Sequence, residues 1–593
     1  MKINRTLRLL LTLSAASLLW ACGDDEDSTD ATTSADTSVS SDTTPGTPSD
    51  ADDAAADTAN DADTTDTGDT TDTGDTGDTG DTTDTGDTST LPGDVENPDT
   101  DYNVYKFDSR FAEGESSIDY RGQTTRHALI AALNEKVKTL TEAVDADGSP
   151  YATAGNVKAD LEKFFYCADS ICDDEDVTVG NATETVISDI KAGQNLVSKL
   201  AGNDVKGQHK NWTGLVTDEN GEDVLDANGN KTYNNDDIAF GGWTATDENG
   251  ETIKVSPEDL VKTWIQMLDD AAVTRTDGSA LPLDPAGNAI TKVYVTAAGH
   301  DLSRLLQKFL LGAIAFSQGM DDYLDYDVEG KGLLVDNESA VTGKNYTALE
   351  HNWDEGFGYF GAARDYLGYT DDELAKKGGR GHEDYEGEST EDWQGAHDTD
   401  GNGTIDVGTE YNWGHSVNCA KRDRNQIAMT DLTKDAFDAF YAGRALITAN
   451  PTMTDAQKTE LEGYADAARE AWEKAIAATA IHYVNDTIGD LTATTDGEDN
   501  DADGEVDEAD EYNFYDHAKH WSELKGFVLS LQFSPMGKLT PGNFAELHGI
   551  IGTAPVLPTA DGFDLTQRKA ALERAGQVLG QAYGFSAEAV ADW

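Results

Sequence analysis

Leu302-Ser-Arg-Leu305-Leu306-Gln-Lys-Phe309-Leu310-Leu311-Gly-Ala-Ile314-Ala315 is apolar almost all the way round a helical wheel, in a chain only 37% hydrophobic. A helix with no polar face has no side to turn to water and belongs in the middle of a fold. The run 301–318 is therefore expected to be a central helix with others packed around it.

Working outward, a first helix opens at Thr124-Thr125-Arg126-His127, where either threonine can cap it, and Leu129, Leu133 and Val137 follow at helical spacing. Further helical runs are read at 154–165, 183–200, 257–270, 346–367, 371–378, 432–448, 454–489, 514–533, 541–551 and 565–592. The run 454–489, with Trp472, Ile476, His482 and Ile488, is long enough to leave room for a hinge. Alternating strand patterns are nearly absent, which predicts an all-α fold, a large helical bundle. A Gly/Asn/Asp-rich insert, 205–256, interrupts it; Thr217–Gly221, Asp226–Gly229 and Thr246–Gly250 read as hairpin tips, and 275–295 is similar.

The chain opens with a short basic stretch, Met1 to Arg8, and an apolar run from Leu9 to Ala21, too short for a stable span and readable as an export signal. It closes Leu19-Trp20-Ala21-Cys22, which resembles a bacterial lipobox, with Cys22 the expected lipidated residue of a 1–22 signal. Residues 23–100 then hold 24 acidic side chains and no Lys or Arg, in a Thr-Asp-Thr-Gly-Asp pattern. Such a segment has little to bury and repels itself, so it is expected to be a disordered tether. The remaining 101–593 still carry 90 acidic against 39 basic residues. That balance excludes nucleic acid as a partner, since no basic footprint exists to neutralise phosphates. Cys167 and Cys172 can form a local disulfide in an oxidising compartment, leaving Cys419 either buried or a partner of one of them.

Two acidic loops have calcium-type spacing. A calcium ion takes six to eight oxygens, drawn from loop positions 1, 3, 5, 7, 9 and 12 with glycine at 6. The second loop offers Asp499, Asp501, Asp503, Glu505 through its carbonyl, Asp507 and Asp510, with Gly504 at the turn and Val506 as apolar anchor. The first offers Asp398, Asp400, Asn402, Thr404 and Asp406 around Gly403, with Ile405 as anchor. Its twelfth position is Thr409, a poor ligand, and Glu410 comes one residue late. Glu410-Tyr-Asn and Glu511-Tyr-Asn end the two loops alike, so these glutamates can instead orient the helix that follows.

An aromatic signature also recurs, as His351-Asn-Trp353-Asp-Glu355-Gly-Phe357 and His520-Trp521-Ser-Glu523-Leu-Lys-Gly526-Phe527. It suggests two related helical units, with halves at 101–390 and 391–593. His351 with Glu355, and His520 with Glu523, share a helix face at these spacings. Each pair suits one metal ion, with iron or zinc the candidates, or equally a hydrogen-bonded histidine in an aromatic core.

These stretches, with Leu305–Phe316, Glu410–Gly414, Lys421–Asp423, Tyr105–Arg110 and Tyr120–Arg126, resemble the family called domain of unknown function 4856 over roughly 100–593. The resemblance implies a helical domain borne on bacterial lipoproteins and no particular activity. That family is similar, more distantly, to the imelysin group of exported helical proteins, associated with iron acquisition and once described as peptidases. The imelysin motif Gly-x-His-x-x-Glu is not present in that form: Gly381-His382-Glu383-Asp-Tyr-Glu386 has other spacing, and His520-x-x-Glu523 lacks the preceding glycine.

The sequence therefore favours a lipid-anchored cell-envelope protein, at the outer membrane, with structural Ca2+ loops. It would act as a binding or uptake accessory for a metal or metal complex, alongside an unidentified transport or surface partner. An imelysin-type metal-dependent hydrolase and a surface adhesion scaffold are the alternatives, and no nucleophile or cofactor motif points to an enzyme.

Overall fold

The computed structural model describes residues 102–179, 183–203, 212–218, 223–227, 229–246, 250–375, 396–424, 427, 429–497 and 511–593. All lie in one unit of the chain, Ala54–Trp593. The signal, the whole tether, the stretch Gly381–Glu386 and the second acidic loop from Asp499 to Asp510 fall outside the described residues.

The central helix forms where its apolar wheel requires. It starts as α6, Leu302–Leu310, capped by Asp301, whose carboxylate accepts from the Ser303 and Arg304 N–H groups. Beyond Leu310 the winding loosens into two π-helical stretches, Leu311–Phe316 and Gln318–Tyr323, all buried. The loosened turn is pressed hard against its neighbours: a methyl group on Gly312 would meet Ser530 Oγ at 1.8 Å, and one on Gly319 the Trp472 ring at 2.6 Å.

Among the described residues five helices precede it: α1, Arg121–Lys138; α2, Leu140–Asp145; α3, Asn156–Tyr166; α4, Ile187–Lys191; and α5, Pro257–Thr276. Nine follow among the described residues: α7, Ala348–Phe360; α8, Asp371–Leu374; α9, Gly414–Asp423; α10, Leu432–Ala449; α11, Asp455–Thr492; α12, Phe514–Ser530; α13, Pro541–Ile551; α14, Leu565–Tyr583; and α15, Ala587–Asp592. The all-α expectation holds. Helix α11 runs unbroken for 38 residues, started by a Thr454–Gln457 capping box. It packs against α10, α12 and α14, while α12 lies on α6. One continuous core reaches from Tyr105 to Trp593, with Trp264, Trp353, Trp413, Trp472 and Trp521 fully buried in it.

The only sheets among the described residues are two hairpins, β1 (Asp176–Val179) with β2 (Thr183–Val186), and β3 (Thr244–Thr246) with β4 (Thr252–Lys254). Further single bridges, Thr217 with Asp223 and Leu225 with Lys231, close the insert's turns as their composition predicts. The helix expected at 183–200 is a correction: Thr183–Val186 is strand β2, α4 covers only Ile187–Lys191, and Gly193 follows with φ +74. The β-branched run Thr-Glu-Thr-Val favours an extended strand there. Likewise Gly361 in left-handed conformation ends α7, and Gly584 separates α14 from α15. Cys167 and Cys172 are disulfide-bonded, and Cys419 is buried and free.

Candidate metal centre

The first acidic loop is built between the end of α7 and the start of α9. Its front is fixed by His397, whose ring stacks on Tyr369 at 3.7 Å and whose Nδ1 lies 2.5 Å from Asp365 Oδ2. Its back is clamped to the α7 terminus. The Arg364 N–H donates to Thr409 O at 3.0 Å, the Ala363 N–H to Asn412 Oδ1 at 2.8 Å, and the Trp413 N–H to Gly361 O at 2.7 Å. The Trp413 indole N–H adds a bond to Val407 O at 2.9 Å. Ile405, the expected apolar anchor, packs against the core.

Within the loop, carboxylates accept from the chain's own N–H groups. Asp398 accepts from Asn402 and Gly403, at 3.1 and 2.6 Å, and Asp400 accepts from the Asn402 N–H at 3.0 Å. The Gly403 N–H is the main reason the Asp398 carboxyl lies below its ordinary range. Asn402 Oδ1 accepts from the Thr404 N–H and hydroxyl at 2.8 and 2.5 Å. Asp406 is turned elsewhere. It accepts from Arg121 of α1, from the Gly408 N–H at 3.0 Å and from the Thr409 hydroxyl at 2.8 Å.

Glu410 is the residue the spacing undervalues. It is buried, and one carboxylate oxygen accepts from the Thr399 N–H (2.8 Å), the Thr399 hydroxyl (2.6 Å) and the Asp400 N–H (3.3 Å). The other oxygen accepts from the Asp406 N–H at 2.7 Å. Glu410 therefore staples the loop closed across its own length. It also completes a trio, because single carboxylate oxygens of Asp398, Asp400 and Glu410 lie within 4.8 Å of one another.

The two His–Glu pairs part company. His351 and Glu355 do face each other, Nε2 to Oε1 at 3.7 Å, but His351 stacks on Tyr346 at 4.5 Å and Glu355 accepts from Gln123. His520 and Glu523 point to different partners. Buried Glu523 pairs with Lys308 at 3.3 Å and Arg304 at 3.8 Å, both on α6. His520 Nδ1 meets Asp490 Oδ2 of α11 at 2.9 Å. Burial opposes the charge on His520, but the bond to Asp490 and its negative charge, with that of Asp486, hold the imidazolium above its ordinary range. The partners of His520 were not legible, since a residue of another helix carries no local signal. The paired tryptophans behave alike: Trp353 Nε1 donates to Phe440 O at 2.8 Å and Trp521 Nε1 to Ile551 O at 3.1 Å.

Residues 243–373 match the family model described as a domain of unknown function (DUF4856). The match runs from Trp243 through α5, α6 and α7 to Glu373, and so includes His351 and Glu355 but neither acidic loop. The comparisons with curated proteins and with solved structures give no match.

Proposed function

We propose that this protein is a calcium-stabilised helical binding module, carried at the cell envelope on an acidic tether and lipidated at Cys22, and serving as a binding or uptake accessory. The observation that carries the calcium reading is the gathering of Asp398, Asp400 and Glu410 oxygens within 4.8 Å. Like charges so close raise one another's free energy, and a bound cation reverses that sign. An all-oxygen set suits calcium better than a nitrogen- or sulfur-seeking ion. By the loop spacing, Asn402 Oδ1 and the Thr404 carbonyl would add further oxygens, whereas Asp406 accepts from Arg121. The second loop, Asp499 to Asp510, would add a second ion by the same spacing.

Calcium titration of the full chain by calorimetry tests this. Saturable uptake is expected, with one site removed by Asp400→Asn and another by Asp501→Asn. Uptake unchanged in both variants contradicts the reading. A Cys22→Ala chain should leave the membrane fraction, and its retention there contradicts the lipid anchor.

A further inference from the structure

Helix α11 presents His482, Asp486 and Asp490 at successive intervals of four, and so on one face. Helix α12 packs along α11 and brings His520 to that face. Asp486 Oδ2 lies 3.3 Å from His482 Nε2 and 3.9 Å from His520 Nε2. The two imidazoles thus turn the same ring nitrogen toward one carboxylate oxygen. Asp490 occupies the other nitrogen of His520, Nδ1, at 2.9 Å. The side chains of His482 and Asp486 are about a quarter exposed, His520 and Asp490 less, so the cluster opens to solvent on one side.

A plain ion-pair knot is the simpler account of these contacts. It explains His520 with Asp490, a complete pair in itself. It leaves unexplained why Asp486 stands between two imidazoles, with its Oδ2 facing Nε2 of both His482 and His520. In metal sites that arrangement has a use: a carboxylate on one ring nitrogen orients the ring and aims the other nitrogen at the ion, which takes the place of the proton there.

We infer that His482, Asp486 and His520 form a binding site for one divalent transition-metal ion of the zinc or iron(II) class, with Asp490 as the residue that positions His520. Two imidazoles and one carboxylate form a donor set of that class, too rich in nitrogen for calcium or magnesium and without the thiolate that copper(I) prefers. Three protein donors with an open side leave room for water or for a chelating small molecule on the ion. The trio is wider than the two donor groups already within 4.8 Å among the described residues, Asp398–Asp400–Glu410 and the disulfide-bonded Cys167–Cys172 with Asp173. Metal–nitrogen bonds of about 2.0–2.1 Å would therefore draw the two imidazoles inward over Asp486. The inference gives the binding module proposed above a ligand class, and it rests on that reading only for its biological purpose.

The test is Zn2+ uptake by the full chain, in competition with a chromophoric chelator and with Ca2+ in excess to occupy the acidic loops and tether. One equivalent of Zn2+ is expected, lost in both His482→Asn and His520→Asn, and weakened about 10–100-fold in Asp490→Asn. Co2+ in place of Zn2+ should give visible bands that the histidine variants abolish. Because His482 is partly exposed, His482→Asn keeps the test decisive even where His520→Asn fails to fold. No saturable Zn2+ uptake, or uptake that survives His482→Asn, overturns the inference. Calcium binding lost in Asp400→Asn while Zn2+ uptake fails leaves the calcium reading standing and removes only this site.

Discussion

Arg444 Nε stands 2.9 Å from Asp354 Oδ1 with both side chains wholly shielded from water. The pair joins α10 to α7 and is extended on both sides. Arg444 Nη1 lies 3.3 Å from Glu350 Oε1, Arg110 Nε 3.2 Å from the same oxygen, and Tyr105 OH donates to Asp354 at 2.8 Å. Two arginines thus balance two carboxylates, and the opening segment is bonded into the bundle. Burial pushes the Asp354 carboxyl up to about 6, against the pull of Arg444. Removing one partner from such a pair leaves an uncompensated buried charge, which typically costs about 3–5 kcal/mol. Arg444→Met is expected to lose that much stability in denaturant unfolding. Asp354→Asn in the Arg444→Met background should recover part of it.

Acid sensitivity follows from buried neutral histidines. Burial pushes His127 down to about 4 and His415 down to about 3, and neither nitrogen of His415 has a hydrogen-bond partner among the described residues. In the unfolded chain each protonates near its ordinary value of 6.5. Below that pH the unfolded state binds more protons, so stability falls on acidification, by about 1.4 kcal/mol per pH unit for each histidine. Asp354 acts with the opposite sign between about 6 and its ordinary value of 3.8, since the folded state takes its proton first. Unfolding measured from pH 7 to 4 should show a smaller acid loss in His415→Phe than in the parent chain. Equal slopes in the two proteins would contradict the assignment.

Lys525 ties the insert to the bundle. Its ammonium donates to Gly242 O and Gly552 O, both at 2.6 Å, and stands 2.9 Å from His548 Nδ1. Burial lowers its pKa to about 7, yet three acceptors around one amine are the arrangement that a charged lysine completes. Lys525→Met leaves two half-buried carbonyls without their donor, at a cost below the about 1–3 kcal/mol of a fully buried one. Faster amide exchange across 229–246 is the expected sign, and unchanged exchange there would show the clip to be dispensable.

Much of the bundle was legible because helical periodicity is local. The apolar wheel at Leu302–Ala315 marked the central helix, and the helical run 454–489 marked α11. The π-helical winding after Leu311 was not legible, since an apolar run looks the same at either pitch, and the close approach of Ser530 to Gly312 and of Trp472 to Gly319 comes from distant parts of the chain. Helix α9 was missed because Gly414-His-Ser-Val417 follows a loop pattern without an apolar period of its own. In the candidate site, Asp398 and Asp400 followed from spacing, while Glu410 fell outside the twelve-residue template and joins the cluster only because Asp406–Thr409 is a turn, with the Glu410 N–H bonded to Asp406 O at 2.7 Å. The partners of His520 sit about thirty residues back on another helix, beyond any local motif.

Amide hydrogen exchange across 396–413 of the full chain, with Ca2+ and with chelator, tests the calcium reading most directly. The account predicts strong protection of the Thr399–Asp406 amides with Ca2+, lost with chelator and lost in Asp400→Asn. Exchange in this segment that is indifferent to Ca2+ would contradict it, leaving Glu410 as a staple that closes the loop without an ion.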